Sequence, residues 1–154
     1  MRSLLAGIVL VVMLTGAAVA GPFEDGVAAF RSGDYVTAAR IFRPLAEQGN
    51  SRAQNNLGLM YDEGQGLPQD DAEAAKWYRI AAEQGNASAQ LNLGLMYAEG
   101  QGVPQDYVQA HMWASLAAAN GNDTATMVID ITAAQMTPGQ IAEAQKLARE
   151  RKPK

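Results

Sequence analysis

The sequence predicts an all-α fold: a helical-repeat solenoid of antiparallel helix pairs with a C-terminal capping helix. Three observations predict it. A segment returns after 36 residues, each copy carries apolar residues at helical spacing, and stop and cap residues stand between the periodic stretches.

The repeat is read by laying Gln54–Asp70 over Gln90–Asp106, where Asn-Leu-Gly-Leu-Met-Tyr and Glu-Gly-Gln-Gly recur in register and Pro-Gln-Asp closes both. The same offset carries Ala74 to Ala110, Trp77 to Trp113, Ala81 to Ala117 and Gly85-Asn86 to Gly121-Asn122. Read backwards, it carries Asp70 to Asp34, Ala74 to Ala38, Tyr78 to Phe42 and Gly85-Asn86 to Gly49-Asn50. Two full copies thus follow a diverged one.

Each copy reads as two helices. In the first, Ala53, Leu57, Met60 and Tyr61 form one apolar stripe. Gly58 sits beside it, where a glycine costs about 1 kcal/mol of helix propensity and is explained by close approach of the paired helix. In the second, Ala74, Trp77, Tyr78 and Ala81 point inward while Asp71, Glu73, Lys76, Arg79 and Glu83 face water. Neither helix is long enough to be stable alone, so each needs the other's stripe.

The connections carry their own signals. Gly64 ends the first helix, Pro68 prevents its continuation, and Asp70 caps the second with Glu73 completing a capping box. Asp106 and Gln109 repeat this, and Gly85-Asn86 makes a stop followed at once by a cap. Turns this short give antiparallel neighbours stacked in series.

The run Leu-Gly-x-Met-Tyr-x-x-Gly-x-Gly-Val/Leu-Pro-Gln-Asp, with Ala-x-x-Trp and Ala-Ala-x-x-Gly-Asn after it, resembles the Sel1-like repeat, a relative of the tetratricopeptide repeat with a longer loop between its helices. The resemblance covers residues 51–125, as repeats at 51–86 and 87–122. Residues 21–50 look like a diverged tetratricopeptide-like first repeat, because Phe30–Tyr35 leaves a shorter loop. Beyond them, 123–154 reads as a terminal helix and a capping helix. Asn122 to Met136 should form the former, with Ala125, Val128, Ile129 and Thr132 inward. Thr137-Pro138-Gly139-Gln140 starts the latter, which places Ile141, Ala144, Leu147 and Ala148 on one side and Glu143, Lys146, Arg149 and Glu150 on the other. A polar-backed helix is what the open end of a solenoid needs.

Residues 1–20 carry Arg2, an apolar run from Leu4 to Leu14 and Ala18-Val19-Ala20, the pattern of a cleaved secretory signal peptide. The run is short for a membrane span, which takes about 20 apolar residues. The expected location is periplasmic or secreted, with no membrane insertion after cleavage. Removing Arg2 leaves 11 basic residues against the 16 acidic ones, a mild acidity that argues against nucleic acid as a partner. There are no cysteines, which excludes a thiol nucleophile and thiolate metal ligands and leaves packing to hold the fold.

The chain offers little for catalysis, and neither a cofactor nor a metal is expected. His111 is the single histidine and occupies the place of Ala75, beside Trp113, where a packed side chain explains it. Gly64-Gln65-Gly66 lacks the Lys-Ser/Thr of a phosphate loop. Glu63 and Glu99 fall one per repeat and read as helix-end solvation, and Trp77 and Trp113 as core.

The tetratricopeptide resemblance implies that the first helices line an inner groove. Counting from Leu57 puts Arg52, Asn55, Leu59 and Asp62 on that face, then Ser88, Leu91, Leu95 and Ala98, with Asn56 and Asn92 at its edge. Asn55, Leu59, Leu91 and Leu95 stand where a peptide-carboxylate clamp has lysines and further asparagines, which argues against such a clamp and for a mixed polar and apolar groove. The expected function is a non-enzymatic adaptor for a protein or peptide segment in the cell envelope, as the resemblance implies. One alternative is β-lactam or peptidoglycan-fragment binding and hydrolysis, known in a cysteine-rich group of Sel1-like proteins; this chain lacks those cysteines and has no Ser-x-x-Lys. The other is an oligomerisation module that self-associates through its terminal helix.

Overall fold

A computed structural model describes residues 20–151; the predicted signal peptide, apart from Ala20, lies outside the described residues. Eight helices follow one another among the described residues: α1 (Pro22–Arg31), α2 (Tyr35–Glu47), α3 (Ser51–Glu63), α4 (Asp71–Glu83), α5 (Ala87–Glu99), α6 (Tyr107–Ala119), α7 (Ala125–Ala133) and α8 (Pro138–Arg151). Among the described residues there is no strand, and no helix is long and apolar enough to cross a membrane. Each of α1, α3 and α5 packs on the helix after it, and α2, α4 and α6 pass the stack on to α3, α5 and α7.

The helix starts follow from short polar side chains. Asp34, Asn50, Asp70, Asn86 and Asp106 each accept the backbone N–H three residues on, at 2.9–3.1 Å. The capping boxes predicted at Asp70 and Asp106 are only half made. The backbone N–H groups of these residues donate to the carbonyls of Tyr61 and Tyr97, so Glu73 and Gln109 have no donor to reach back to. Glu73 pairs instead with Lys76, at 3.5 Å. The full reciprocal box forms at α8, where Thr137 N–H donates to Gln140 at 2.8 Å and Gln140 N–H donates to Thr137 at 3.2 Å.

The long loop between the helices of a repeat rests on the repeat before it. A Cβ on Gly66 would overlap the Tyr35 carbonyl at the start of α2, and one on Gly102 the Asp71 carbonyl at the start of α4. Both glycines also have positive φ, +70° and +65°. Two independent reasons therefore require glycine there.

Polar side chains stitch the repeats at fixed spacing. Buried Gln54 donates to the Ala46 carbonyl at 3.0 Å and accepts from Gln84 at 2.6 Å. Buried Gln90 does the same with the Ala82 carbonyl and Asn120, at 3.0 and 2.9 Å. Arg43 donates to the Tyr61 hydroxyl at 2.9 Å, and Arg79 to that of Tyr97 at 2.6 Å. Arg79, predicted to face water, is thus half-buried and joins α4 to α5. A buried polar group satisfied on both sides holds register without a desolvation penalty.

The core forms two clusters. Phe23, Phe42, Ala53, Leu57, Met60 and Trp77 belong to the first; Tyr78, Leu93, Met96, Met112, Trp113 and Leu116 belong to the second, which Ala144 and Ala148 of α8 cover. Both tryptophans are core, 9% and 1% exposed. Gly58 meets Tyr78 so closely that an added Cβ would lie 2.7 Å from the ring.

The C-terminal end departs from the repeat. Helix α7 is shorter than the predicted span of Asn122 to Met136. Asn122 turns its side-chain Oδ1 to the N–H and hydroxyl of Thr124 instead of to the N–H three residues on, and Gln135 and Met136 close in tight three-residue turns. Ala125, Val128 and Thr132 are buried and Ile129 half-buried, as the stripe predicts. Helix α8 then rests chiefly on α6.

Candidate functional groove

Helices α1, α3 and α5 present one common face, and a groove of about 420 Å³ opens between them. Its walls are Phe23, Val27, Phe30 and Arg31 from α1, Arg52, Asn55 and Asn56 from α3, and Asn86 with Ser88 at the start of α5. The α1 contribution follows from spacing: residues 23, 27 and 30–31 fall one or two helical turns apart and share a face. On α3, Arg52, Asn55 and Asn56 do the same.

Four of the predicted groove residues, Arg52, Asn55, Asn56 and Ser88, come together in this cavity. Asn92 lies beside it and donates from Nδ2 to the Asn55 Oδ1 at 3.1 Å, linking α5 to α3. Leu59, Leu91 and Leu95 lie outside the cavity lining; the first two are half-buried and Leu95 is 37% exposed. Asp62 is not brought to the groove. It is half-buried and accepts from the Tyr78 hydroxyl of α4 at 3.4 Å. Burial, followed by the neighbouring Asp71 charge, raises its carboxyl above the usual range, and the Tyr78 hydrogen bond opposes this. Tyr78, buried beside that carboxylate, has its own phenol pushed far up.

The α1 wall is legible in the sequence once the register of the first copy is corrected, and Asn86, read there only as a cap, also lines the cavity. The turn from α1 to α2 is four residues shorter than that from α3 to α4, so the register of the first copy must be moved by four. Gly26 then falls on Gly58, Phe23 on Asn55 and Val27 on Leu59. Gly26 supports this register, since its added Cβ would meet Phe42 at 2.6 Å as that of Gly58 meets Tyr78. Continuing the repeat the other way puts Met127 at the place of Leu91 and Ile131 at that of Leu95. Met127 and Ile131 are 62% and 57% exposed. Two rows thus run across the repeats: Phe23, Asn55, Leu91, Met127, and Val27, Leu59, Leu95, Ile131.

The groove's chemistry is recognition chemistry. Arg52 lies over the Phe23 ring, 4.0 Å from its centroid. Among the described residues the one ion pair is Lys76–Glu73, so neither Arg31 nor Arg52 is matched by a carboxylate there. His111 stands apart from the groove. It is 3% exposed, with Nδ1 3.1 Å from the Thr132 hydroxyl, which donates onward to the Val128 carbonyl at 2.8 Å. Burial lowers its pKa, opposed by a hydrogen bond to the Ile129 backbone. That is a packed role, with the ring joining α6 to α7.

Stacked helix pairs with an open groove on one face define a helical-repeat protein. The Sel1 repeat family model matches residues 51–86 and 87–122, and the chain is a Sel1-repeat protein. It superposes on c5321, a protective antigen of uropathogenic Escherichia coli strains with an SLR fold, at TM-score 0.81 and 36% identity. It also superposes on a Sel1 repeat protein from Oxalobacter formigenes, at TM-score 0.69 and 30% identity. Each match covers 84% of this chain, which spans 29% of the first protein and 56% of the second. No curated protein matches the chain. Sel1 repeats generally mediate protein–protein interaction, and proteins built from them are typically non-enzymatic scaffolds.

Proposed function

We propose that this protein is an exported, non-enzymatic adaptor that holds an extended segment of another envelope protein against the α1–α3–α5–α7 face. The observation that carries the reading is the pair of residue rows on that face. Between the two strong copies the buried stripe is unchanged (Ala53 and Ala89, Leu57 and Leu93, Met60 and Met96), whereas the groove face changes from Arg52 and Asn55 to Ser88 and Leu91. Core positions are constrained by packing; exposed and half-buried positions that differ between copies supply a surface that varies along its length. Side-chain amides suit an extended backbone, and the leucines, methionine and isoleucine suit apolar side chains. Export rests on the pattern of residues 1–20.

The test is cross-linked capture from a native envelope extract, with the wild-type chain as one bait and Asn56→Ala/Asn92→Ala and Leu95→Asp/Ile131→Asp variants as two more. A partner retained by wild type and lost by a groove variant of unchanged thermal stability is the expected result. A partner retained equally by all three baits would place binding elsewhere and overturn the groove reading. Met127 and Ile131 would also suit a second copy of the chain, and sizing by light scattering separates that case.

A further inference from the structure

We propose that the α1–α3 end of the groove is a carboxylate subsite, taking an acidic side chain of the extended segment bound there; this rests on the groove reading above. Asn86 spends its Oδ1 on the Ala89 N–H, and Asn55 spends its Oδ1 on Asn92, so both turn N–H donors to the cavity. Arg31 and Arg52 add two guanidinium groups, donors only. Arg52 uses its face against Phe23, which leaves the N–H edges of its planar fork for a ligand.

No carboxylate lines the cavity, although the chain as a whole has a net charge of −4. Glu24 and Asp25 of α1 lie outside the lining. A site with two guanidinium groups, amide donors and no carboxylate is locally cationic and suits an anionic group with several acceptor oxygens. Phe23, Val27 and Phe30 form an apolar wall along one side, which fits the stem of an acidic residue and an apolar neighbour better than a small free ion. The rows run from this end to Leu91 and Met127; the segment lying along them supplies the carboxylate from a side chain, and a peptide with a free C-terminus tests a chain end instead.

Three fluorescent nonapeptides on a shared alternating Leu-Ser frame test this by anisotropy against the full chain. The first carries a central Glu-Asp pair with both ends capped, the second a Gln-Asn pair with both ends capped, and the third the Gln-Asn pair with a free C-terminus. The first should bind about tenfold more tightly than the second, a margin expected for charge-assisted hydrogen bonds. That margin should shrink as NaCl rises from about 0.05 to about 0.5 M. It should vanish in Arg31→Gln/Arg52→Gln, the first peptide falling to the affinity of the second. Asn56→Asp, which puts a negative charge into the lining, should cut binding of the first peptide more than that of the second. Helical circular dichroism confirms that each variant is folded. Equal binding of the first two peptides would overturn the subsite and leave the groove reading standing. Preference for the third would assign the subsite to a chain end, contrary to the proposal, and no binding by any peptide would sink both readings.

Discussion

At the scale of single residues, the account turns on contacts too close for any other side chain. Gly58 is buried, and an added methyl group would sit 2.7 Å from the ring of Tyr78, itself fully buried. Gly58→Ala gains about 1 kcal/mol of helix propensity and loses about 1–3 kcal/mol to overpacking. The net should be a loss of up to about 2 kcal/mol in urea unfolding. His111 predicts a pH dependence. Its folded pKa lies below the ordinary histidine value of about 6.5, so the fold favours the neutral ring. The stability this contributes is complete above that value and is lost as pH falls below it towards the folded pKa. The melting temperature should therefore fall between about pH 7 and pH 5, and His111→Gln should flatten the profile. Residue-level roles were the least legible in the sequence. Arg79 reads as a solvated charge because the partner that buries its stem, Tyr97, is in the next repeat, on another helix.

At the scale of elements, the sequence placed α3 to α6 because a stop, a cap and an apolar stripe coincide at each of them. Its errors fall where one of those signals is absent. Helix α7 lacks an asparagine cap in the repeat's geometry and frays to tight turns at its far end, so its predicted ends are too generous. The Asp70 and Asp106 boxes are half made because a tertiary contact, the Tyr61 or Tyr97 carbonyl, takes the N–H that a local rule assigns to Glu73 or Gln109. The long loop is the element most sensitive to substitution. Gly102→Ala would force a left-handed residue and drive its Cβ into the Asp71 carbonyl of the preceding repeat. The left-handed conformation alone costs about 1–2 kcal/mol, so the total loss should exceed that. The same change at Gly121, whose added Cβ meets nothing, should cost only the conformational part. Comparing the two by thermal denaturation separates the loop's packing from its backbone geometry.

At the scale of the whole molecule, the repeat determines the function's geometry as well as the fold. The shared inward stripe makes the two strong copies stack alike, and the outward rows are then free to differ. Arg31, Phe23 and the asparagines gather at one end, and Leu95, Met127 and Ile131 at the other. Half of this face was legible from the two strong copies. The α1 wall was hidden by the shorter first loop, and the α7 contribution by a helix whose cap departs from the pattern. The most direct test of the central claim, that this face holds a protein partner, is site-specific photo-cross-linking in living cells. A photoreactive phenylalanine would replace Leu95 or Ile131 on the groove face, and Lys76 on exposed α4. The account predicts a shared cross-linked product from the two groove positions and none from Lys76. Cross-linking from Lys76 alone would contradict it.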